Sequence, residues 1–155
     1  MKKLFVAIRK GEIETVRELL EKKPELVACT AKQPPKQDDG QSPLQVAIKS
    51  GQFEIANILL DGGADVNFME SPDCCNPWRM PALHDAIRAA VMSCRWNTND
   101  KALGLQARHT REEAGLSRIF TLLFAQGADL DYVRPGFDQT IRERCAVGPI
   151  AQFIK

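Results

Sequence analysis

Apolar residues recur at helical spacing in three stretches that share one outline. GEIETVRELL (11–20), GQFEIANILL (51–60) and GLSRIFTLLF (115–124) each open on glycine and finish on a large apolar pair. Apolar positions three and four apart place one greasy stripe along a helix, so each stretch is predicted helical. A glycine follows the second and third, Gly63 and Gly127; either suits the left-handed backbone that ends a helix. A shorter helix is predicted in LFVAIRKG (4–11), SPLQVAIKSG (42–51) and LHDAIRAA (83–90). In these, Leu4, Leu44 and Leu83 hold one position and Ala7, Ala47 and Ala86 another. Ser42 followed by Pro43 is a good start signal, an N-cap hydroxyl before a residue that needs no N–H. The predicted unit is short helix, tight turn, longer helix, glycine stop and extended loop. Strands are not needed beyond turns in those loops.

One local turn also repeats at long range. DGGADVNF (61–68) is echoed by AQGADLDY (125–132), and Ala64 and Ala128 lie 64 residues apart. The run DGQSPLQVAIKSGQFEIANILLDGGADVN (39–67) resembles the ankyrin repeat almost throughout, and on it the chain is similar to ankyrin repeat proteins. That family's unit is about 33 residues, a turn followed by two antiparallel helices. The resemblance implies an all-α ankyrin-repeat solenoid of stacked helix-turn-helix units forming one domain over 1–155. Repeats are expected at about 1–28, 37–67, 77–133 and 138–155. The first starts directly at its first helix. The last, TIRERCAVGPIAQFIK, places Ile141 and Gly148 where Leu44 and Gly51 stand, and reads as a partial cap or as a unit that continues past Lys155.

Insertions account for the odd spacing. Leu44 to Leu83 is 39 residues, an excess of about six over the family unit. Ala90 and Gly115 compete for one repeat position, which implies about 25 inserted residues, 90–114, between the helices of the third repeat. A further insertion of about seven lies between Leu20 and Leu44. The largest is expected to extend the first helix through Arg95, break near NTND (97–100), and resume from about Lys101 into the second helix.

The resemblance carries surface positions with it. In ankyrin stacks the loop tips and first helices line a concave surface that usually binds another protein. The two residues before each inter-helix glycine face that groove: Arg9 and Lys10, Lys49 and Ser50, Arg88 and Ala89. A cation therefore stands at similar height in three successive repeats. Either it complements the negative end of each helix, or the three form a recognition row. The tip positions are Asp38, Asp39 and Gln41 in the second repeat, and Pro77, Trp78 and Met80 in the third. Trp78 is an interface anchor or a residue folded back on its neighbouring loop; Met80 adapts to irregular surfaces. The insertion adds Arg95, Trp96, Arg108, His109 and Arg111, a mixture of cation and aromatic suited to an interface. Trp96, Leu103 and Leu105 equally suit packing of a longer helical hairpin.

Composition narrows the function classes. An apolar fraction of 44% and a charged fraction of 26% describe an ordinary globular chain. With 21 Lys plus Arg against 20 Asp plus Glu, overall charge favours neither nucleic acid nor membrane, although a balanced total can hide a local row. The apolar run 4–8 is too short for a secretory signal. Five cysteines without framework spacing point to free thiols and a cytoplasmic location. Cys29 and Cys145 read as small packed residues.

Cys74 and Cys75 invite a metal or redox reading with Cys94, His84 or His109, but adjacent side chains rarely converge on one ion and no Cys-x-x-Cys occurs. His84 instead occupies the family's helix-one histidine. An enzyme would need Cys94 or Cys74 as nucleophile and His84 or His109 as base, and no spacing fixes them within reach. No phosphate loop or paired-carboxylate motif appears. The expectation is a non-catalytic module without cofactor, metal or small-molecule substrate. It binds another protein through the residues Arg9, Lys10, Asp38, Asp39, Gln41, Lys49, Ser50, Trp78, Met80, Arg88, Arg95 and Trp96. A role as inhibitor or immunity-type factor fits a small chain without an effector domain. The alternative is an anionic ligand, nucleic acid or acidic lipid, on the cationic row.

Overall fold

The computed structural model describes residues 1–76, 79–99, 106–145, 151, 153 and 154, with the backbone course alone at 91–99 and 106–113. Seven α-helices run through the described residues: α1 (Lys2–Lys10), α2 (Ile13–Lys22), α3 (Pro43–Lys49), α4 (Phe53–Asp61), α5 (Ala82–Asn99), α6 (Gln106–Ala125) and α7 (Ile141–Cys145). Extended backbone among these residues is limited to one antiparallel bridge, Val133 with Thr140. The fold is all-α.

The helices make antiparallel pairs, α1 with α2, α3 with α4 and α5 with α6, and the pairs stack in two layers. In one layer α3 packs between α1 and α5; in the other α4 packs between α2 and α6. The first two pairs turn on the same backbone device. Gly11 (φ 72°) and Gly51 (φ 71°) adopt the left-handed conformation that side chains resist. The N–H of Gly11 bonds the Ile8 carbonyl and that of Glu12 bonds Ala7; Gly51 and Gln52 repeat this with Ile48 and Ala47. This pair of bonds satisfies carbonyls that a helix end leaves orphaned. Gly63 and Gly127 close α4 and α6 in the same manner, through Leu60 and Leu59, and through Phe124 and Leu123.

The 64-residue echo is a stacking contact. Asp65 and Asp129 each accept from the N–H two residues on, Asn67 and Asp131. Asn67 then joins the two turns, donating to the Gly127 carbonyl and accepting from the Asp129 N–H, both at 2.8 Å. Gln126 donates to the Leu60 carbonyl at 3.1 Å, so each turn satisfies its neighbour's helix end.

At the start of α3, Ser42 and Gln45 form a reciprocal cap, as the Ser-Pro signal foreshadowed. α5 runs four residues beyond Arg95, through 97–99 where the break was expected, and the expected resumption at Lys101 lies outside the described residues, α6 being described from Gln106. Gly115 lies inside α6, as expected of a helix that runs into the second helix of the pair, and a Cβ there would come 3.0 Å from the Phe53 ring. Its role is close approach of α6 to α4. Gly148, the expected bend of the last unit, lies outside the described residues. After α7, Phe153 stacks on Phe120 with ring centroids 5.0 Å apart.

One apolar cluster runs through all of this, from Leu4 and Ile8 through Leu44, Ile48 and Leu59 to Leu83, Phe120 and Leu123. Leu59 is fully buried in it. Leu59→Ala is expected to lower unfolding stability by about 2–5 kcal/mol, through lost transfer energy and the cavity left behind. Chemical denaturation measures it, and a surface-like loss below about 0.5 kcal/mol would contradict this packing.

Candidate functional site

The carboxyl ends of α1 and α3, one face of α5 and the loops that precede α3 and α5 surround a cleft of about 820 Å³. It brings together seven of the residues singled out in the sequence: Arg9, Asp38, Gln41, Lys49, Ser50, Met80 and Arg88. His84, Asp85, Asn76 and Arg134 share its wall. Lys10 and Asp39 lie outside it. Trp78 lies outside the described residues, as do the side chains of Arg95 and Trp96.

The expected exposure of the tips is where the structure departs most. Asp38 is only 1% exposed, and Gln41 and Met80 are also buried. Asp38 takes the Arg9 guanidinium and the Lys49 ammonium on its two carboxylate oxygens. Lys49 also donates to the Gln37 carbonyl at 3.0 Å and to Gln41. Gln41 passes the chain on to buried Glu70 at 3.2 Å, and Glu70 accepts from the Met80 N–H at 3.1 Å and from Asn76. Two of the three cations in the expected row are thus held inside by one carboxylate. Burial of Asp38 demands that pairing, because an unpaired charge cannot be taken out of water cheaply. Met80 is buried because its backbone is claimed on both sides: its N–H by Glu70 and its carbonyl by the Gln45 side chain.

Asp39 departs from expectation in another way. Its carboxylate accepts from the Cys75 N–H at 2.8 Å and the Gln33 N–H at 3.2 Å, stitching one loop to the next. Gly40 permits that closeness: a Cβ there would lie 2.7 Å from the Cys74 Cβ. Lys10 is exposed and pairs loosely with Glu12 at 3.7 Å. Ser50 and Arg88 remain exposed on the cleft, and Arg88 has no ion-pair partner among the described residues.

Sequence reasoning missed Asp85 and the last loop. Asp85 is 8% exposed, and its Oδ2 has no hydrogen-bond partner among the described residues. Burial pushes its carboxyl up to about 7, Glu70 adding to the shift while Lys49 and Arg88 oppose it. Neighbouring His84 moves the other way, down to about 4, through burial and the positive charges of Arg134, Arg144 and Arg88. At the last loop, Arg134 and Arg144 lie 5.0 and 4.3 Å from the exposed Phe137 ring, a cation–π arrangement. Proline-glycine at 135–136, with Gly136 at φ 85°, turns the chain there and was the available signal.

The side chains of Cys94 and His109 lie outside the described residues. Burial pushes the thiols of Cys29 and Cys145 up, away from the thiolate a nucleophile needs. Among the described residues no three His, Cys, Asp or Glu side chains gather as a metal site. Nor is any described helix long and apolar enough to cross a membrane.

Two predictions follow from this wall of charge. Lys49→Glu sets a second carboxylate against buried Asp38 and is expected to cost about 2–4 kcal/mol of stability. Arg88→Glu, at an exposed position, should stay within about 0.5 kcal/mol of the parent chain. Urea unfolding of both variants separates structural from available cations.

The second concerns pH. Asp85 binds its proton more tightly folded than unfolded, so its contribution falls as pH rises from about 4 to about 7. His84 binds its proton less tightly folded, so its contribution falls as pH drops from 6.5 to about 4. Between those limits the two slopes oppose each other. Asp85→Asn is expected to unmask stability that rises with pH, and His84→Gln stability that falls, in denaturation midpoints at pH 4.5, 5.5 and 6.5. Identical slopes in the two variants would refute the assignment.

Residues 2–70 match the family model described as ankyrin repeats (3 copies). Residues 2–70 therefore carry ankyrin repeats, whose general role is protein–protein interaction and which are typically non-catalytic. None of the curated proteins matches it.

Proposed function

We propose that this ankyrin-repeat chain is a non-catalytic binding module that seats part of a partner protein in the cleft between its first helices and its loop tips. The observation that carries this reading is the cleft itself. It is about 820 Å³ in volume and has exposed Arg88 and Ser50 on its wall above a saturated polar floor. A concave site with a few convergent polar groups is the usual form of a recognition surface. Phe137, flanked by Arg144 and by Arg134 of the cleft wall, extends the surface with aromatic and arginine side chains, which are enriched in interfaces.

The role follows from the architecture. A stack that positions side chains rigidly can act by occupying its partner's surface. An inhibitor or immunity-type factor working in the cytoplasm is the specific form we favour. Nucleic acid or acidic lipid on a cationic row has less support, because Arg9 and Lys49 are held by Asp38.

Arg88→Glu and Phe137→Ala are expected to weaken retention of the natural partner by roughly ten- to a hundredfold, in the range of interface hot spots. Their unfolding midpoints should stay near the parent value. Partner capture with the immobilised chain, followed by titration of the identified protein, measures the loss. Unchanged affinity in both variants would remove the cleft from the interface.

A further inference from the structure

The fold distributes its hydrogen-bond donors unevenly among three buried carboxylates that stand close together. Asp38 receives Arg9 and Lys49. Glu70 receives Gln41, Asn76 and the Met80 N–H. Asp85, on the same cleft wall and 8% exposed, receives none on Oδ2. A buried carboxylate without donors is costly when ionised. The cost is avoided if the group carries a proton, and a protonated carboxyl is itself a donor. What the fold then lacks is an acceptor.

The surroundings say which acceptor fits. Lys49 from α3, Arg88 from α5 and Glu70 from the loop before α5 act on the charge of Asp85, and Arg9 from the end of α1, Asp38 from the loop before α3, His84 from α5 and Arg134 from the last loop line the same cleft. Arg9 and Lys49 share one carboxylate, and exposed Arg88 has no ion-pair partner among the described residues. The mouth of the cleft therefore holds more positive than negative charge, and an acceptor bearing negative charge suits both the donor and the excess. A nucleic acid strand presents a row of phosphates and needs a row of available cations. Here Asp38 has removed two of three, which favours a single anionic side chain.

Resting on the reading of the cleft as the partner's seat, we propose that its occupant is a glutamate or aspartate side chain of an acidic protein segment. The Asp85 carboxyl donates its proton in a hydrogen bond to that carboxylate, and Arg88 lies beside the pair. When Asp85 ionises, two carboxylates oppose each other and the segment is released. Asp85 titrates near pH 7 while an ordinary glutamate is ionised well below that, so recognition weakens across the physiological range as pH rises. His84 stays neutral through this window.

The full chain is titrated with a fluorescein-labelled hexaglutamate peptide between pH 5.5 and 8.5, with hexaglutamine and a twelve-residue oligothymidylate as comparisons. Hexaglutamate is expected to bind, and its affinity to fall up to about tenfold from pH 6 to pH 8, the factor by which the protonated fraction of a carboxyl titrating near 7 falls. Calorimetry at pH 7.5 in buffers of differing ionisation enthalpy should show proton uptake on binding, a readout that needs no variant. Asp85→Asn, whose amide donates at every pH, should bind with a flat profile and no proton uptake.

Equal binding of hexaglutamine, tighter binding of the oligothymidylate, or an unchanged pH slope in Asp85→Asn would each overturn the proposal. If hexaglutamate fails at every pH while Arg88→Glu still releases the natural partner, the acidic occupant is wrong and the cleft remains the interface. If Arg88→Glu leaves the natural partner bound, the cleft reading itself has failed.

Discussion

A short helix pair has an apolar face and nowhere within itself to bury it, and that constraint organises the whole chain. The face can be covered only by the next pair, so α3 must lie against α1 and α5 while α4 lies against α2 and α6. Register along the stack is then set by how sharply each pair turns. Gly11 and Gly51 turn it identically because only glycine enters the left-handed region without strain. An insertion is tolerated where it leaves that register alone. The third pair satisfies this by lengthening α5 and α6, while Leu83, Ala86, Leu116, Ile119 and Leu123 keep their buried places.

A second, polar constraint runs beside the apolar one. The chain of contacts from Arg9 through Asp38, Lys49, Gln41 and Glu70 to Met80 crosses three successive units. Apolar burial fixes which faces meet but is indifferent to small slips along the helix axis. Directional bonds to buried carboxylates are not indifferent, since each displaced donor would leave a desolvated charge behind. Asn67 and Gln126 do the same at the opposite end of the helices. The stack is thus pinned at both edges by side chains that reach into the neighbouring unit.

The sequence made the repeat legible because its signals are local. Helical spacing, the Ser42 N-cap and the glycine stops at Gly63 and Gly127 each act within a few residues, and these took the predicted form. Tip exposure was not legible, because it depends on where a loop meets its neighbours. Asp38 looks like any loop aspartate until Arg9 and Lys49 close on it from two different helices. The close approach at Gly115 was not legible for a related reason: it depends on Phe53, a residue of another helix. Asp85 was invisible because its significance lies in donors that are missing rather than in any motif.

These two constraints together determine what kind of surface the chain can offer. Charges that pin the stack are unavailable to a ligand, so counting cations along the groove overstates its positive character. What remains is the difference between the floor and the rim. The floor is saturated, and Asp38 and Glu70 have their donors. The rim keeps Arg88 exposed and Asp85 without a partner on one oxygen. A site of this kind discriminates by the chemistry of one or two groups rather than by the sum of a charged row. Discrimination of that sort suits recognition of a particular protein segment better than attraction to a polyanion.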